Sequence, residues 1–166
     1  MRAVLDTNVI VSATLIRGGN EDKILLAWLR GAFQLVLSPE ILEEIGRVLT
    51  YDKLRRSRWI TDAEVVLLLE TLAQESVVVP GTPRVRASRD PEDDKFLAAA
   101  VHAHARYVVT GDKDLLELKV LRGVRIVKPA HFLPYRTTST SQRRSQPPSR
   151  MAHSLRSPSV GVAPAG

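Results

Sequence analysis

Acidic side chains follow two predicted strands of this chain, at the point where each strand ends. Asp6 comes directly after the apolar run Ala3–Leu5, and Asp112 comes shortly after the run Tyr107–Thr110. Because the carboxyl ends of parallel strands open on one crevice, we expect the two carboxylates to lie close together. Gathered carboxylates repel one another unless a cation or a shared proton offsets their charge. The sequence therefore predicts a divalent-metal site, and the chemistry we expect there is metal-assisted cleavage of a phosphodiester.

A third carboxylate is predicted from a helix that Ser38 caps and Pro39 begins. The apolar face of this helix consists of Ile41, Leu42, Ile45, Val48 and Leu49. At about 100° per residue, Glu43 falls nearly opposite that face, whereas Glu44 lies at its margin. Glu44 is therefore the glutamate that we expect to point into the crevice.

A fourth carboxylate comes from the acidic stretch 90–94, which opens the central helix. Asp90 is a suitable N-cap, with Pro91 at the first helical position. On the helical wheel Asp94 shares the apolar face, whereas Asp93 is intermediate and is assigned to capping and solvent. An acidic residue on an apolar face is costly unless it is paired or bound to a metal, so we expect Asp94 to be the ligand.

Oxygen ligands of this kind suit Mg²⁺ or Mn²⁺ rather than zinc. The chain has no cysteine, and His102 and His104 lie two positions apart on a helix, so they point to different faces and form no zinc pattern. A bound ion lowers the pKa of a water molecule, which a carboxylate can orient or deprotonate. The residues predicted to orient the four acids are Asp114, Thr7, Asn8 and Thr110.

Predicted strands and helices alternate along residues 1–134, which favours one α/β domain with a mainly parallel sheet of about five strands. Residues 135–166 are rich in Ser, Thr, Pro, Gln and Arg and lack apolar periodicity, so we expect a disordered basic tail. The net charge of the chain is +6, but this tail holds five arginines and no acid. The predicted domain is therefore close to neutral, and a high overall charge is weak evidence for nucleic-acid binding here.

The N-terminus fits neither a signal peptide nor a membrane span, because Asp6 and Asn8 interrupt its apolar run. We therefore expect a cytoplasmic protein. Two sets of basic side chains are candidates for contacting RNA. The first set either contacts RNA or forms a solvated helix face. The first set consists of Arg55, Arg56 and Arg58, and the second, a weaker candidate for holding a phosphate near the metal, consists of Arg86 and Arg89.

Four segments of this chain, in this order, resemble the motifs of PIN-domain proteins. They are VLDTNV around Asp6, SPEILEEI around Glu44, DPEDDKFLAAA around Asp94 and VTGDKDL around Asp112. The likeness is greatest to the VapC-like ribonucleases, which are the toxins of toxin–antitoxin systems. It covers residues 1 to about 134, and four ordered motifs are more specific than a single Asp-Thr-Asn. The basic tail is a departure from the family pattern.

The resemblance implies a three-layer α/β/α sandwich around a parallel sheet. It also implies Mg²⁺- or Mn²⁺-dependent cleavage of RNA, an antitoxin partner and, in many members, a homodimer. The acidic quartet of the family maps onto Asp6, Glu44, Asp94 and Asp112. Asp114 matches a neighbouring position that is frequently acidic.

Two other functions stay open at this point. The same fold can serve as a non-catalytic RNA-binding or protein-interaction module, which the intact set of four acids argues against. A metal-dependent phosphatase would use Asp6 as its nucleophile, and such enzymes commonly have a second acid two residues later. This chain has Asn8 at that position, which makes the phosphatase the less favoured alternative.

Overall fold

The computed structural model describes residues 1–51, 60–80, 85 and 87–132, which are built around a six-stranded sheet. In chain order the elements of these residues are β1 (Arg2–Leu5), α1 (Thr7–Leu15), α2 (Asn20–Leu29), β2 (Gln34–Leu37), α3 (Pro39–Leu49), α4 (Asp62–Glu75), β3 (Val77–Val78), α5 (Asp94–His102), β4 (Tyr107–Val109), α6 (Lys113–Glu117), β5 (Val120–Leu121), β6 (Val124–Val127) and α7 (Pro129–Phe132).

The strands follow the order β3-β2-β1-β4-β6-β5, and every neighbouring pair is parallel except β5 and β6. The predicted α/β class with a mainly parallel sheet is confirmed, although the predicted number of about five strands was one too low. The missed strand, β5, has two residues, which is too short to show a period in the sequence. The chain runs outward from β1 to β3 and then returns to β4 on the other side of β1, so the strand order reverses between β1 and β4.

Helices cover both faces of this sheet, as the predicted three-layer sandwich requires. Ala3, Val4 and Leu5 of β1 are all at most 1% exposed, and successive strand residues point to opposite faces. Helix α5 packs against β1, β2 and β4, and α6 packs against β6. The site described below therefore lies at the edge of a sheet whose central strands are shielded from water.

The start of the central helix differs from the prediction. Helix α5 begins at Asp94, and residues 91–93 form a separate turn, in which the Asp90 carboxylate accepts a hydrogen bond from the Glu92 N–H at 2.9 Å. Asp90 therefore caps this turn and not the α-helix. The sequence misplaced the helix start because an Asp-Pro pair is as suitable for opening a turn as for opening a helix.

The folded unit extends at least to Phe132, whose side chain is fully buried. Its ring contacts Phe33 and Tyr107 edge to face, with centroids 5.2 and 5.6 Å apart. The predicted domain end at residue 134, the tail 135–166 and the side chains of Arg55, Arg56, Arg58 and Arg86 lie outside the described residues. Of the helices that are described, none has the length and apolar character needed to cross a membrane.

Candidate active site

Asp6 lies where the strand order reverses, directly after β1, and is only 4% exposed. It is the N-cap of α1, and its Oδ1 accepts a hydrogen bond from the Asn8 N–H at 3.1 Å. The register that aligns Leu5 with Val109 brings Asp6 beside Thr110, whose hydroxyl donates to Asp6 Oδ2 at 2.6 Å. Both oxygens of this buried carboxylate are therefore held in place by the protein.

Asp112 is tied to Asp6 through the same threonine. The Asp112 N–H donates to Thr110 Oγ1 at 2.9 Å, while the Thr110 hydroxyl donates to Asp6. Asp112 caps α6, and its Oδ1 accepts from the N–H groups of Asp114 and Leu115 at 2.8 and 3.1 Å. The two strand-end acids predicted from the sequence thus share one hydrogen-bond chain at the carboxyl edge of the sheet.

Further carboxylates interact electrostatically with Asp6. Burial raises the pKa of Asp6 above its ordinary value, and the hydrogen bonds from Thr110 and Asn8 oppose this rise. The negative charges of Glu44 and Asp112 raise the pKa further. Glu44 and Asp112 therefore interact electrostatically with Asp6.

Asp93, which was intermediate on the helical wheel and was assigned to capping and solvent, interacts electrostatically with the same acids. Burial raises the pKa of Asp93 to about 6, and repulsion from Asp112, Asp90 and Asp6 adds to the effect, while Lys95 opposes it. Asp93 does occupy the N-cap position of α5, as the capping assignment predicted, but its side chain makes no capping hydrogen bond and is half-buried instead of exposed to solvent. Residues 91–93 form a turn before α5, so the angles of a regular helix do not give the direction of this side chain.

Asp94 has a different set of contacts. Its Oδ1 accepts hydrogen bonds from the N–H groups of Ala87 and Ser88, at 3.1 and 2.8 Å. The wheel correctly placed Asp94 on the inner side of the helix, where it is half-buried. The backbone N–H groups of the preceding loop compensate the half-buried Asp94 carboxylate. These contacts give no support to the choice of Asp94 as a metal ligand.

Glu44 lies at the margin of α3, half-buried, whereas Glu43 is exposed. Its Oε2 is 2.6 Å from the Nζ of Lys95, a residue that the sequence did not single out. Lys95 Nζ is also 3.6 Å from Glu92 Oε2. These groups line a cleft of about 340 Å³ between α3 and the start of α5, which we call the glutamate cleft; its lining residues are Glu40, Glu43, Glu44, Arg47, Pro91, Glu92 and Lys95.

The residues predicted to support the acids or to contact RNA differ in burial and in contacts. Thr7 is 2% exposed, and its hydroxyl oxygen has no hydrogen-bond partner within the described part of the chain. Asn8 is exposed and contributes its backbone N–H to Asp6. Arg89, whose side chain is 76% exposed, is engaged by α6, with ion pairs of 3.7 Å to Asp114 and 3.4 Å to Glu117. Thr110 is therefore the supporting residue with the most direct contacts to the acids.

The chemistry of the acidic side chains fits a hard divalent cation. Their donors are all oxygens, and burial together with repulsion among them raises two pKa values. The buried Thr7 hydroxyl, next to Asp6 in the chain, lacks a hydrogen-bond partner among the described residues. In their present positions, no three acidic or histidine side chains of the described residues form a group able to hold a metal ion. Mg²⁺ usually keeps several of its own water ligands, so few direct protein contacts are needed.

The fold is shared with solved structures of distant sequence. One is PAE2754 from Pyrobaculum aerophilum, with a TM-score of 0.55 and 15% identity, covering 83% of this chain and 90% of that one. Another is VapBC2 from Rickettsia felis, solved bound to a DNA fragment from their promoter, with a TM-score of 0.52 and 13% identity, covering 77% of this chain and 98% of that one. At these identities the likeness shows the fold alone.

Sequence comparison is more specific. The chain is 32% identical over 119 residues to the uncharacterised protein MJ1680 of Methanocaldococcus jannaschii, which covers 72% of this chain and 76% of that protein. A family model described as PIN domain matches residues 2–114. That stretch includes Asp6, Glu44, Asp93 and Asp112, and it extends over more than half of the chain. The chain therefore belongs to the PIN domain family.

Proposed function

We propose that this protein is a ribonuclease that hydrolyses RNA phosphodiester bonds with Mg²⁺ or Mn²⁺, and that it is the toxin of a toxin–antitoxin pair. The observation that carries the proposal is the hydrogen-bond chain that joins Asp6 and Asp112 through Thr110, at the point where the strand order of a PIN-family sheet reverses. Ligands of open α/β sheets bind in the crevice outside the carboxyl ends of the strands at such a point. The raised pKa values of Asp6 and Asp93 are also a recognised sign of a functional site.

The acids proposed to hold the metal are Asp6, Asp93 and Asp112, with Glu44 at the edge of the group. Asp93 is preferred to Asp94, the ligand predicted from the sequence, because burial and the charges of Asp112, Asp90 and Asp6 raise its pKa. The backbone hydrogen bonds of Asp94 are no argument against it, since Asp112 accepts two as well. Asp114 and Thr7 are proposed as supporting groups, with Thr110 the most important of them.

A bound divalent ion would supply a water of lowered pKa and stabilise negative charge on the phosphate oxygens. The protein's own contribution is position. The Thr110 hydroxyl orients the Asp6 carboxylate and accepts from the Asp112 N–H, while the N–H groups of Asp114 and Leu115 orient the Asp112 carboxylate, so neither carboxylate must be reoriented before reaction. Asp93, at the start of α5, would orient the attacking water from the neighbouring element.

The proposed partners follow from the family and the fold. The structure of Rickettsia felis VapBC2 supports an antitoxin as a partner of this chain, because the two proteins share their fold. We propose a cytoplasmic location and a homodimer from the resemblance to the VapC-like ribonucleases. RNA would be contacted by Arg55, Arg56, Arg58, Arg86 and Arg89, of which Arg89 would have to exchange its ion pairs with α6 for a phosphate.

The phosphatase alternative is weakened by Asn8, because such enzymes commonly have a second acid two residues after the nucleophile, which would here be Asp6. The cleavage experiment described next distinguishes the ribonuclease from the alternative of a non-catalytic binding module.

The test is cleavage of total RNA by the purified full chain with Mg²⁺ or Mn²⁺, with and without EDTA. The Asp93→Asn variant is compared with Asp94→Asn, a matched control that removes one negative charge from the adjacent position. We expect cleavage that EDTA abolishes, a loss of at least about 100-fold in Asp93→Asn, and a much smaller loss in Asp94→Asn.

Each other result has a definite meaning. Cleavage that persists in EDTA contradicts the metal-dependent mechanism. The loss of activity in Asp94→Asn but not in Asp93→Asn contradicts the revised choice of acid. RNA that is bound but left intact with either metal supports the binding module instead.

A further inference from the structure

Arg89 connects two segments of the chain that carry acids of the site. It lies in the loop that leads to α5, and its guanidinium pairs with α6, the helix that Asp112 caps. Its Nη1 is 3.7 Å from Asp114 Oδ1, and its Nη2 is 3.4 Å from Glu117 Oε2. The Asp114 N–H donates to Asp112 Oδ1 at 2.8 Å, so the guanidinium contacts a residue that holds a proposed metal ligand.

The backbone beside Arg89 is fixed independently of these ion pairs. Asp94 Oδ1, at the start of α5, accepts hydrogen bonds from the N–H groups of Ala87 and Ser88 at 3.1 and 2.8 Å. The Ser88 hydroxyl oxygen accepts a further one from the Asp90 N–H at 3.3 Å. The loop therefore keeps the Arg89 backbone beside the site, and the guanidinium does not depend on α6 for its location.

The ion pairs between Arg89 and α6 are weak ones. The side chains of Arg89, Asp114 and Glu117 are 76%, 42% and 61% exposed. Both distances exceed the roughly 2.7–2.9 Å of a charge-assisted hydrogen bond. Exposed pairs of this kind are screened by water and ions and contribute little stability. Arg89 can therefore exchange these partners at a small cost in free energy.

The nitrogens of Arg89 that face α6 are the ones that a phosphate would use. Nη1 and Nη2 form one edge of the planar guanidinium, and two parallel N–H groups on such an edge fit two phosphate oxygens. Asp114 and Glu117 each face one of these nitrogens. A phosphate that binds this edge therefore has to displace both carboxylates of α6.

We infer that Asp114 and Glu117 compete with an RNA phosphate for Arg89 and thereby limit how tightly RNA binds beside the acidic site. The inference rests on the proposed ribonuclease function and adds to it a residue, Glu117, that lowers RNA affinity without holding the metal. RNA must release Arg89 from α6 before it gains the phosphate contact, and the free energy of that release is subtracted from binding.

The test is fluorescence anisotropy of a labelled single-stranded RNA with the purified full chain in EDTA, which prevents metal-dependent cleavage. Glu117→Gln keeps the size of the side chain and removes its charge, so RNA should bind about two- to fivefold more tightly. Arg89→Gln should weaken binding and lower the slope of log affinity against log salt by about 0.7, because one phosphate contact is lost. In the Arg89→Gln background, adding Glu117→Gln should produce no tightening.

Two variants at the opposite edge of the sheet serve as matched controls. Glu75 ends α4 just before β3, and Arg106 directly precedes β4, so both exposed residues lie at the amino ends of parallel strands. Glu75→Gln should leave RNA affinity within about 1.5-fold, and Arg106→Gln should leave the salt slope unchanged, since neither residue borders the acidic crevice. Thermal unfolding of every variant shows that the fold is retained.

Cleavage kinetics with Mg²⁺ give a second measurement. Glu117→Gln should lower KM by the same two- to fivefold factor and leave kcat unchanged within about twofold, because the competition affects RNA binding and not hydrolysis. If RNA binds too weakly in EDTA to be measured, the KM values of the same variants decide in the same way. A fall in kcat with an unchanged KM would mean that Glu117 acts on the acids, and this overturns the inference.

The outcomes separate this inference from the proposed function. Unchanged RNA affinity in Glu117→Gln overturns the inference. Equal tightening with and without Arg89 would mean that Glu117 repels RNA directly, and this overturns it too. In both cases, metal-dependent cleavage by the unaltered protein leaves the proposed function standing. RNA that the unaltered protein neither binds nor cleaves contradicts the proposed function itself, and the inference falls with it.

Discussion

Replacing Asp93 by Asn should stabilise the metal-free protein at neutral and alkaline pH. The pKa of Asp93 is about 6 in the folded protein, against an ordinary value of 3.8. At about 1.36 kcal/mol per pKa unit, ionising this carboxyl in the folded state costs at most ~3 kcal/mol. Asp93 is only partly buried, and solvent screening reduces the expected gain to about 1 kcal/mol in the free energy of unfolding.

The gain should depend on pH in a defined direction. Because the folded pKa of Asp93 is raised, the folded protein keeps a proton between pH 3.8 and about 6 that the unfolded chain has already lost. The unfolding free energy of the unaltered protein therefore falls as the pH rises through this window. Asparagine has no proton to lose, so the advantage of Asp93→Asn should be near zero below about pH 4 and complete above about pH 7.

The assay is urea unfolding followed by circular dichroism at pH 4, 6 and 8, with EDTA present so that no metal contributes. Asp94→Asn is the matched control. The Asp94 carboxylate accepts hydrogen bonds from Ala87 and Ser88, so its neutralisation should lower the unfolding free energy by about 1 kcal/mol at pH 8.

The reasoning would be refuted if Asp93→Asn were no more stable than the unaltered protein at pH 8. A gain of equal size at pH 4 and pH 8 would contradict the electrostatic cause. A stabilised Asp94→Asn variant would show that Asp94, and not Asp93, is the aspartate destabilised by the neighbouring acids.

Three further predictions concern the same site and the domain end. Thr110→Val should lower the unfolding free energy by about 1–2 kcal/mol in urea titrations and weaken Mn²⁺ binding in calorimetry. Thr110→Ser keeps the hydroxyl and should change neither quantity. Equal losses in the two variants would mean that Thr110 acts through packing and not through its hydrogen bonds. The affinity for Mn²⁺ should rise with pH from about 5 to 7, since a proton on Asp93 competes with the ion, and a flat calorimetric profile would exclude Asp93 as a ligand. A chain that ends at Pro134 should keep its melting temperature within about 2 °C in differential scanning calorimetry, because the buried Phe132 is retained. A larger fall in the melting temperature would mean that residues 135–166 stabilise the domain.

Much of the fold and half of the site could be predicted from the sequence, because these features depend on local periodicity. Apolar runs marked the strands, and the alternation of strands with helices indicated a parallel sheet. Asp6 and Asp112 were predicted to lie together because each follows a strand, and the structure joins both to Thr110. Glu44 was preferred to Glu43 from its angle on α3, and the observed burial agrees.

Tertiary structure alone decided which neighbouring acid faces the others and which cation meets Glu44. A helical wheel describes side-chain directions only where the backbone is a regular helix, and Asp93 lies in the turn before α5. The direction of Asp94 depends on backbone N–H groups at residues 87 and 88, which the wheel does not include. The contact of Lys95 with Glu44 depends on how α5 packs against α3, some fifty residues apart in the chain. Local periodicity determines which face of an element is apolar, whereas contacts between elements exist only after those faces have packed.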